Sequence, residues 1–246
     1  MEKSNCQHEW KKEGNYLVCT KCPKKVLDLK ETDKEGLLLG IRKDGSKYSV
    51  RENRMSYFMP GRWIKFVEAL KSPKAKLTAE VLIQLGCRIN EARHIEERDI
   101  DYERNTIKLR ITKTKAKKGE TKGKPRTIPV NSKFIKRLKK YFKDKKDGKA
   151  IGLLTTSAFN IAMKKSLEKI EEPEGYMLSA HNIRKSHGNW LKIMGNLKMM
   201  NVDAMEICLR LGHDYGTFLK DYGSASVMDN KDITLIQEIL GDLYTR

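Results

Sequence analysis

Two arginines, two histidines and a late tyrosine are the residues of this chain whose types and spacing could do chemistry. Arg88 stands in Gly86-Cys87-Arg88-Ile89-Asn90-Glu91, and His181 and Arg184 in His181-Asn182-Ile183-Arg184. His213 closes Leu211-Gly212-His213, nine residues before Tyr222. A tyrosine phenol has a pKa of about 10 and is a weak nucleophile at pH 7 unless a base or a field of positive charge assists it. Arginine forks grip phosphate oxygens at two points, which lysine cannot do. Such a set suits attack by a phenol oxygen on a phosphodiester. Taken singly, each residue has a plainer role: Tyr222 in a core, Arg88 in a helix-end salt bridge with Glu91, His181 as an N-cap-like surface residue. Their joint occurrence in this order carries the reading.

Charge points to the owner of the phosphodiester. The 246 residues include 51 Lys+Arg against 32 Asp+Glu, a formal charge of +19. The surplus is local, since residues 101–150 hold 19 Lys/Arg and 5 Asp/Glu, a net of +14. A surplus this concentrated marks a polyanion footprint, because each neutralised phosphate releases a counterion. Double-stranded DNA is the expected partner, with a solvated lysine-rich surface as the alternative. No transmembrane run, signal peptide or basic anchor helix is visible, so neither a membrane partner nor a secreted protein is expected. No small-molecule substrate is expected either. The expected location is cytoplasmic, with the DNA of the nucleoid.

The five cysteines fall into two kinds. Cys87 and Cys208 sit singly in apolar helical patterns and read as inert core thiols. The others cluster at the start, in Cys6-Gln7-His8 and Cys19-Thr20-Lys21-Cys22, with Trp10 and the strand-like Tyr16-Leu17-Val18 between. This is not the spread-out pattern of a secreted disulfide framework. Zinc takes four nitrogen or sulfur ligands in a tetrahedron, and Cys6, His8, Cys19 and Cys22 count to four. A segment of about thirty residues cannot build a core without such a staple. Residues 1–30 are therefore read as a zinc-ribbon-like module with a structural Zn²⁺, against an unliganded tail with three surface thiols.

The elements that must position the chemistry can be read next. Residues 31–55 hold a hairpin, with Leu37–Ile41 and Tyr48–Val50 flanking the turn pair Asp44-Gly45; it could lie in a DNA groove or pack as an edge ribbon. From residue 56 to 246 the pattern is mostly helical. Trp63, Ile64, Phe66, Val67 and Leu70 share one face, and Leu77, Val81, Leu82 and Leu85 another, which Gly86 ends. Residues 105–111 alternate as a strand, with 126–130 as its partner and the lysine-rich 112–125 between. Phe134, Ile135, Leu138, Tyr141 and Phe142 line a helix whose other face is nearly all lysine. Further helices are expected at 156–170, 182–195, 203–211 and 231–243. The fold class is mainly α with a small antiparallel β-hairpin or sheet (α+β).

Residues 56–246 resemble the catalytic domain of the tyrosine recombinases, the phage-type integrases. Gly86–Glu91 looks like the segment that supplies the family's first arginine. Asp99-Ile100-Asp101 and the following strand resemble its lead into a β-hairpin. His181 and Arg184 match the His-x-x-Arg box, Leu211-Gly212-His213 the Leu-Gly-His box, and Tyr222 the nucleophile. The charge and the cysteine-rich head point to archaeal or viral members. The resemblance implies that Tyr222 forms a 3′-phosphotyrosyl bond, with His181 able to accept its proton. Arg88 and Arg184 would clamp the non-bridging oxygens, His213 would add a hydrogen bond, and no metal cofactor would be needed for catalysis. The 5′-hydroxyl leaving group takes its proton from a hairpin lysine in this family. Lys113 is the first candidate and Lys115 the next, the remaining lysines being phosphate contacts or solvated. Most members carry a helical domain ahead of the catalytic one that closes a clamp on the duplex; here about 55 residues of a different kind stand there. Relatives often dock their C-terminal segment on a neighbour. Ile233, Leu235, Ile236, Ile239, Leu240 and Leu243, following Gly223–Ser226, could do so, giving a multimer on DNA, or could fold back on their own domain.

The reading is thus a site-specific DNA recombinase or integrase. Its rivals are a type IB topoisomerase-like enzyme that only relaxes DNA and a non-catalytic zinc-containing accessory protein that binds it. The zinc module yields a direct test. Protein purified without chelator is expected to carry about one zinc per chain by elemental analysis, lost when Cys19 and Cys22 are both replaced by serine. Metal-free protein from that preparation would exclude the module.

Overall fold

A computed structural model of the chain describes residues 9–13, 16–21, 25–27, 39–41, 47–49, 57–110, 125–145, 150–170, 178–212, 214–222 and 228–241. The chain divides into two compact units, Met1–Arg54 and Met55–Arg246.

In the first unit, β1 (Trp10–Glu13), β2 (Tyr16–Cys19) and β3 (Lys25–Leu27) form an antiparallel meander with Trp10 opposite Cys19 and Tyr16 opposite Leu27. A separate hairpin pairs β4 (Leu39–Ile41) with β5 (Lys47–Ser49), Leu39 facing Ser49. It is the hairpin the sequence leads one to expect, and its Asp44-Gly45 turn lies outside the described residues.

The second unit is built of helices around one small sheet. Helix α1 (Pro60–Ala69) begins with proline at its first position, where the missing N–H costs nothing. Phe58, Trp63 and Phe66 are buried there and meet Trp190 of α6 (Ala180–Asn196), with Trp63 edge-on to Trp190 at 6.3 Å. The entering strand of chain is also fixed by hydrogen bonds to α6: Phe58 N–H donates to Ser186 Oγ at 2.8 Å, and Trp190 Nε1 to the Phe58 carbonyl at 3.1 Å. Helix α2 (Pro73–Leu85) is capped by Ser72, whose hydroxyl accepts from Ala75 N–H, and packs along α6. It stops at Gly86, which takes the left-handed conformation, φ +58°.

A one-turn helix, α3 (Ile89–Ala92), and a 3₁₀ turn (Glu97–Asp99) lead to the sheet β6 (Ile100–Asp101), β7 (Thr106–Leu109) and β8 (Arg126–Pro129). The order is β6-β7-β8, antiparallel, with Ile107 opposite Ile128 and Leu109 opposite Arg126. Helix α4 (Ser132–Lys145) buries Phe134, Ile135, Leu138 and Phe142 and exposes Lys133, Lys136, Arg137, Lys139, Lys140 and Lys143. Helices α5 (Thr156–Lys169), α6, α7 (Ala204–Leu211), α8 (Tyr215–Tyr222) and α9 (Asn230–Leu240) follow. None of the helices among the described residues is long and apolar enough to cross a membrane.

One helix lies outside the sequence expectation, and another takes one of the two courses that expectation left open. Helix α8 stands where no helix was expected; eight residues including Gly216 and Thr217 have little intrinsic helicity, and its packing on α6 and α7 through buried Phe218 supplies the stability. The C-terminal helix α9 folds back on its own unit. It packs on α1 and α2, buries Ile236 and Leu240, and accepts at the Ile239 carbonyl a hydrogen bond from Gln84 Nε2.

Gly86 is doubly constrained. A Cβ there would lie 2.2 Å from Cδ2 of His187, besides being strained at a positive φ. Gly86→Ala is expected to lower the unfolding free energy by about 2–4 kcal/mol, from left-handed backbone and overpacking together. Adding His187→Ala should be markedly non-additive in a double-mutant cycle. Denaturant titration checks both; a loss under about 0.5 kcal/mol for Gly86→Ala would mean the turn has room that the packing denies.

Candidate active site

The Arg88 segment is a tight connection between two helices. After Gly86 turns the chain, Cys87 points into the core, where burial above all, and then the Glu91 carboxylate, pushes its thiol up to about 12. It is the inert thiol that the sequence suggests. Arg88 is extended and serves as N-cap residue of α3, and Glu91 folds back on it. Arg88 N–H donates to Glu91 Oε2 at 2.9 Å, and Arg88 Nη1 to Glu91 Oε1 at 3.0 Å. The helix-end ion pair is therefore present, yet it leaves the Arg88 side chain 46% exposed while Glu91 is 3% exposed.

Arg184 has the opposite setting. It lies on α6 at 1% exposure, donating from Nη1 to the Gly86 carbonyl at 3.0 Å and from Nη2 to the Leu211 carbonyl. One guanidinium thus joins the turn before Arg88 to the end of α7, so three motifs scattered over 126 residues of sequence converge on one junction. His181 is exposed in the first turn of α6, three residues before Arg184 and near the same face. It is not the cap: that position belongs to Ser179, whose N–H donates to Asn182 Oδ1 at 2.8 Å.

A turn along α6, His187 fixes the back of the junction. Its Nε2 accepts from Arg210 Nε at 2.7 Å, so Nδ1 carries the proton and donates to the Ile83 carbonyl at 2.6 Å. Burial first, and the Arg210 charge second, hold this imidazole well below the usual histidine range, in its neutral form. Arg210 also donates to the carbonyls of Gln84 (2.7 Å) and Pro129 (2.6 Å), which ties α7 to α2 and β8.

Helix α7, capped by Asp203, ends at Gly212 with φ +63°. His213 lies outside the described residues, as do Lys113 and Lys115 in the loop between β7 and β8. The strands that hold that loop are anchored at both ends. Arg110 pairs with Asp99 at 2.6 Å and Glu96 at 3.0 Å; Arg126 pairs with Glu91 at 2.7 Å. Tyr222 is the last residue of α8, and its side chain lies outside the described ones. Tyr215 begins the same helix, half exposed and stacked on Phe218 at 6.2 Å. Of the four expected zinc ligands, Cys19 is described: it is buried at the end of β2 and its Sγ accepts from Lys21 N–H at 3.4 Å. Cys6, His8 and Cys22 lie outside the described residues, and among the described ones no group of three or more His, Cys, Asp or Glu could hold a metal.

Sequence reading missed Arg126, His187 and Arg210. The signal open to it was a charge on a strand or helix face otherwise read as apolar, and nothing in the sequence says which partners absorb that charge.

Residues 63–225 match the phage integrase family, more than half of the chain, and the chain belongs to that family. No curated protein sequence matches it. Among solved structures it is similar to XerA recombinase at 14% identity and TM-score 0.52, over 76% of this chain and 66% of that one. It is also similar to the Tn1549 transposon integrase in complex with transposon right end DNA (17%, TM-score 0.53, 78% and 69%). A third is the XerH site-specific recombinase bound to its difH substrate (16%, TM-score 0.51, 75% and 56%). At these identities the likeness is one of fold, that of a tyrosine recombinase catalytic domain. The chain spans just under two thirds of the XerA recombinase.

The two arginines should separate in stability. Arg184→Ala orphans two buried carbonyls, at about 1–3 kcal/mol each, whereas Arg88→Ala leaves Glu91 held by Arg126 and should cost under about 1 kcal/mol. Chemical denaturation of the two variants checks this; equal losses would contradict the burial difference.

Proposed function

We propose that this protein is a site-specific DNA recombinase of the integrase type, cutting and rejoining strands through a 3′-phosphotyrosyl intermediate. The observation that carries the reading is the junction at Arg184, which brings the Arg88 turn, the His181 helix and the end of α7 to one place. The helix that ends in Tyr222 packs on two of the same elements, α6 and α7.

The phenol oxygen of Tyr222 attacks phosphorus, the new O–P bond forms, and the bond to the 5′-oxygen breaks. The phenol proton passes to His181, and a hairpin lysine, Lys113 or else Lys115, protonates the leaving 5′-oxygen. Arg88, which presents nearly half its side chain, grips the non-bridging oxygens, while Arg184 both supports the cradle and lends it charge. His213 adds a further donor. Losing one preorganised donor of this kind costs about 10²–10³ in rate. The lysine-covered face of α4 and the lysine-rich hairpin supply the sequence-independent grip on duplex phosphates.

On DNA the protein acts as a multimer. Supporting this, Met205 and Leu209 on α7 and Tyr215 and Leu219 on α8 expose large apolar side chains. The first unit holds a structural zinc through Cys6, His8, Cys19 and Cys22. Cys19 supports this, since its Sγ at the end of β2 accepts the Lys21 N–H two residues on, which orients the sulfur at the bend that leads to Cys22. The charge and this head favour a viral or mobile-element protein working in the cytoplasm on nucleoid DNA.

A nicked suicide duplex tests the activity. Wild type should trap a covalent protein–DNA adduct, and Tyr222→Phe should bind the duplex equally well and trap none. An adduct that persists in Tyr222→Phe would move the nucleophile to Tyr215. Recombination between paired sites, rather than mere relaxation of a supercoiled plasmid, separates a recombinase from a topoisomerase.

A further inference from the structure

We propose that Arg126 is a positioning residue for the phosphate-binding guanidinium of Arg88, acting through the buried carboxylate of Glu91. The proposal rests on the reading of Arg88 as the phosphate clamp.

The geometry assigns each oxygen of Glu91 to both arginines. Oε2 accepts Arg88 N–H at 2.9 Å and Arg126 Nη2 at 2.7 Å; Oε1 accepts Arg88 Nη1 at 3.0 Å and Arg126 Nη1 at 3.5 Å. The remaining edge of the Arg126 guanidinium is committed as well, with Nε donating to the Arg210 carbonyl at 2.9 Å. Arg126 is thereby locked in one orientation at 13% exposure, and Glu91 in turn is locked by it. Its flat face lies against the turn that leads to position 213, because a Cβ on Gly212 would sit 3.3 Å from Nη1 and 3.4 Å from Cζ.

The consequence is electrostatic. Arg88 and Glu91 alone form a neutral pair, in which a carboxylate at 3% exposure would draw the arginine inward and cancel its charge. A second guanidinium shares that carboxylate and leaves the trio with one net positive charge. The half-exposed partner, Arg88, is the one that can carry it to an oxyanion. Lysine could not substitute, since a single ammonium cannot meet two carboxylate oxygens and the Arg210 carbonyl in one plane. The register adds a mechanical link: Arg126 opens β8, the strand returning from the lysine-rich loop, so the same side chain ties that strand to the Arg88 turn and to the end of α7.

The test uses the full chain and four variants: Arg126→Lys, Arg126→Gln, Arg88→Ala and the double variant Arg88→Ala/Arg126→Gln. Single-turnover cleavage of the suicide duplex at saturating protein should fall about 100-fold in Arg126→Gln, the scale of a misplacement of about 1 Å, with duplex affinity almost unchanged. Arg126→Lys should remain slow despite its charge; wild-type rate there overturns the proposal. The double variant should be no slower than Arg88→Ala, and a multiplied defect would mean that Arg126 acts on the phosphate by itself. An activity-independent measurement accompanies these. Arginine side-chain ¹⁵N spectra, with the Arg88 signals identified by their loss in Arg88→Ala, should show those signals shifted and averaged in Arg126→Gln. Should Arg126→Gln fail to fold, Arg126→Lys carries the same comparison. Unchanged Arg88 signals in a folded variant refute the positioning role. Failure of wild type to form any adduct would instead refute the proposed activity, and the spectra would still decide the role of Arg126.

Discussion

A buried guanidinium bonded to two helix-end carbonyls is the constraint on which the catalytic unit depends. Burying an arginine is costly unless its donors are met. Arg184 meets the carbonyls of Gly86 and Leu211. Helix ends carry unpaired carbonyls and partial negative charge, so α2 and α7 both present what a cation needs. Carbonyl dipoles hold a cation without cancelling its charge, as a carboxylate would. The phosphate grip proposed for this centre would gain from its being built this way. The same logic recurs at Arg210, whose side chain is held by two carbonyls and a neutral imidazole. Both helices must stop where they do for this to work, and glycines with positive φ stop them.

The motifs on which the proposed chemistry rests were legible in the sequence because they are local. Arg88 with Glu91, His181 with Arg184, and Leu211 with Gly212 are each short spans whose spacing is a helix turn or a cap. Helices α1, α2, α4, α5, α6, α7 and α9 were legible as well, since their apolar faces repeat at helical spacing. The hairpin strands showed in the alternation that places Ile107 opposite Ile128. What stayed hidden is pairing across the chain. Arg126 reads as a strand residue until Glu91, 35 positions away, is seen beneath it. His187 and Arg210 each look misplaced on an apolar face until they are found bonded to one another. Helix α8 was hidden for another reason: its stability comes from neighbours and not from its own residues.

The centre separates two demands that conflict in one residue. Arg184 and Arg210 are enclosed and give the junction its rigidity. Arg88 stays half exposed and keeps its reach. Glu91 stands between, buried like the first pair yet bonded to the exposed arginine, so it transmits the order of the interior to the surface. Position 88 can then be ordered without being enclosed, which suits the proposed grip on a duplex phosphate.

Helix α9 gives the architecture a direction in time. Ile239 accepts its hydrogen bond from Gln84, 155 positions earlier, and Leu240 completes a core that α1 and α2 begin. A ribosome adding about 5–20 residues per second needs on the order of 10–30 s to make the chain between them. Through that interval the parts of α1 and α2 that α9 covers wait for a partner not yet synthesised, even after α5 and α6 have been made. The nascent chain therefore cannot complete its catalytic unit while still being translated through α8. Docking of α9 on α1 and α2 is thus late relative to the pairing of α2 with α6, and the faces it covers stay open in the meantime.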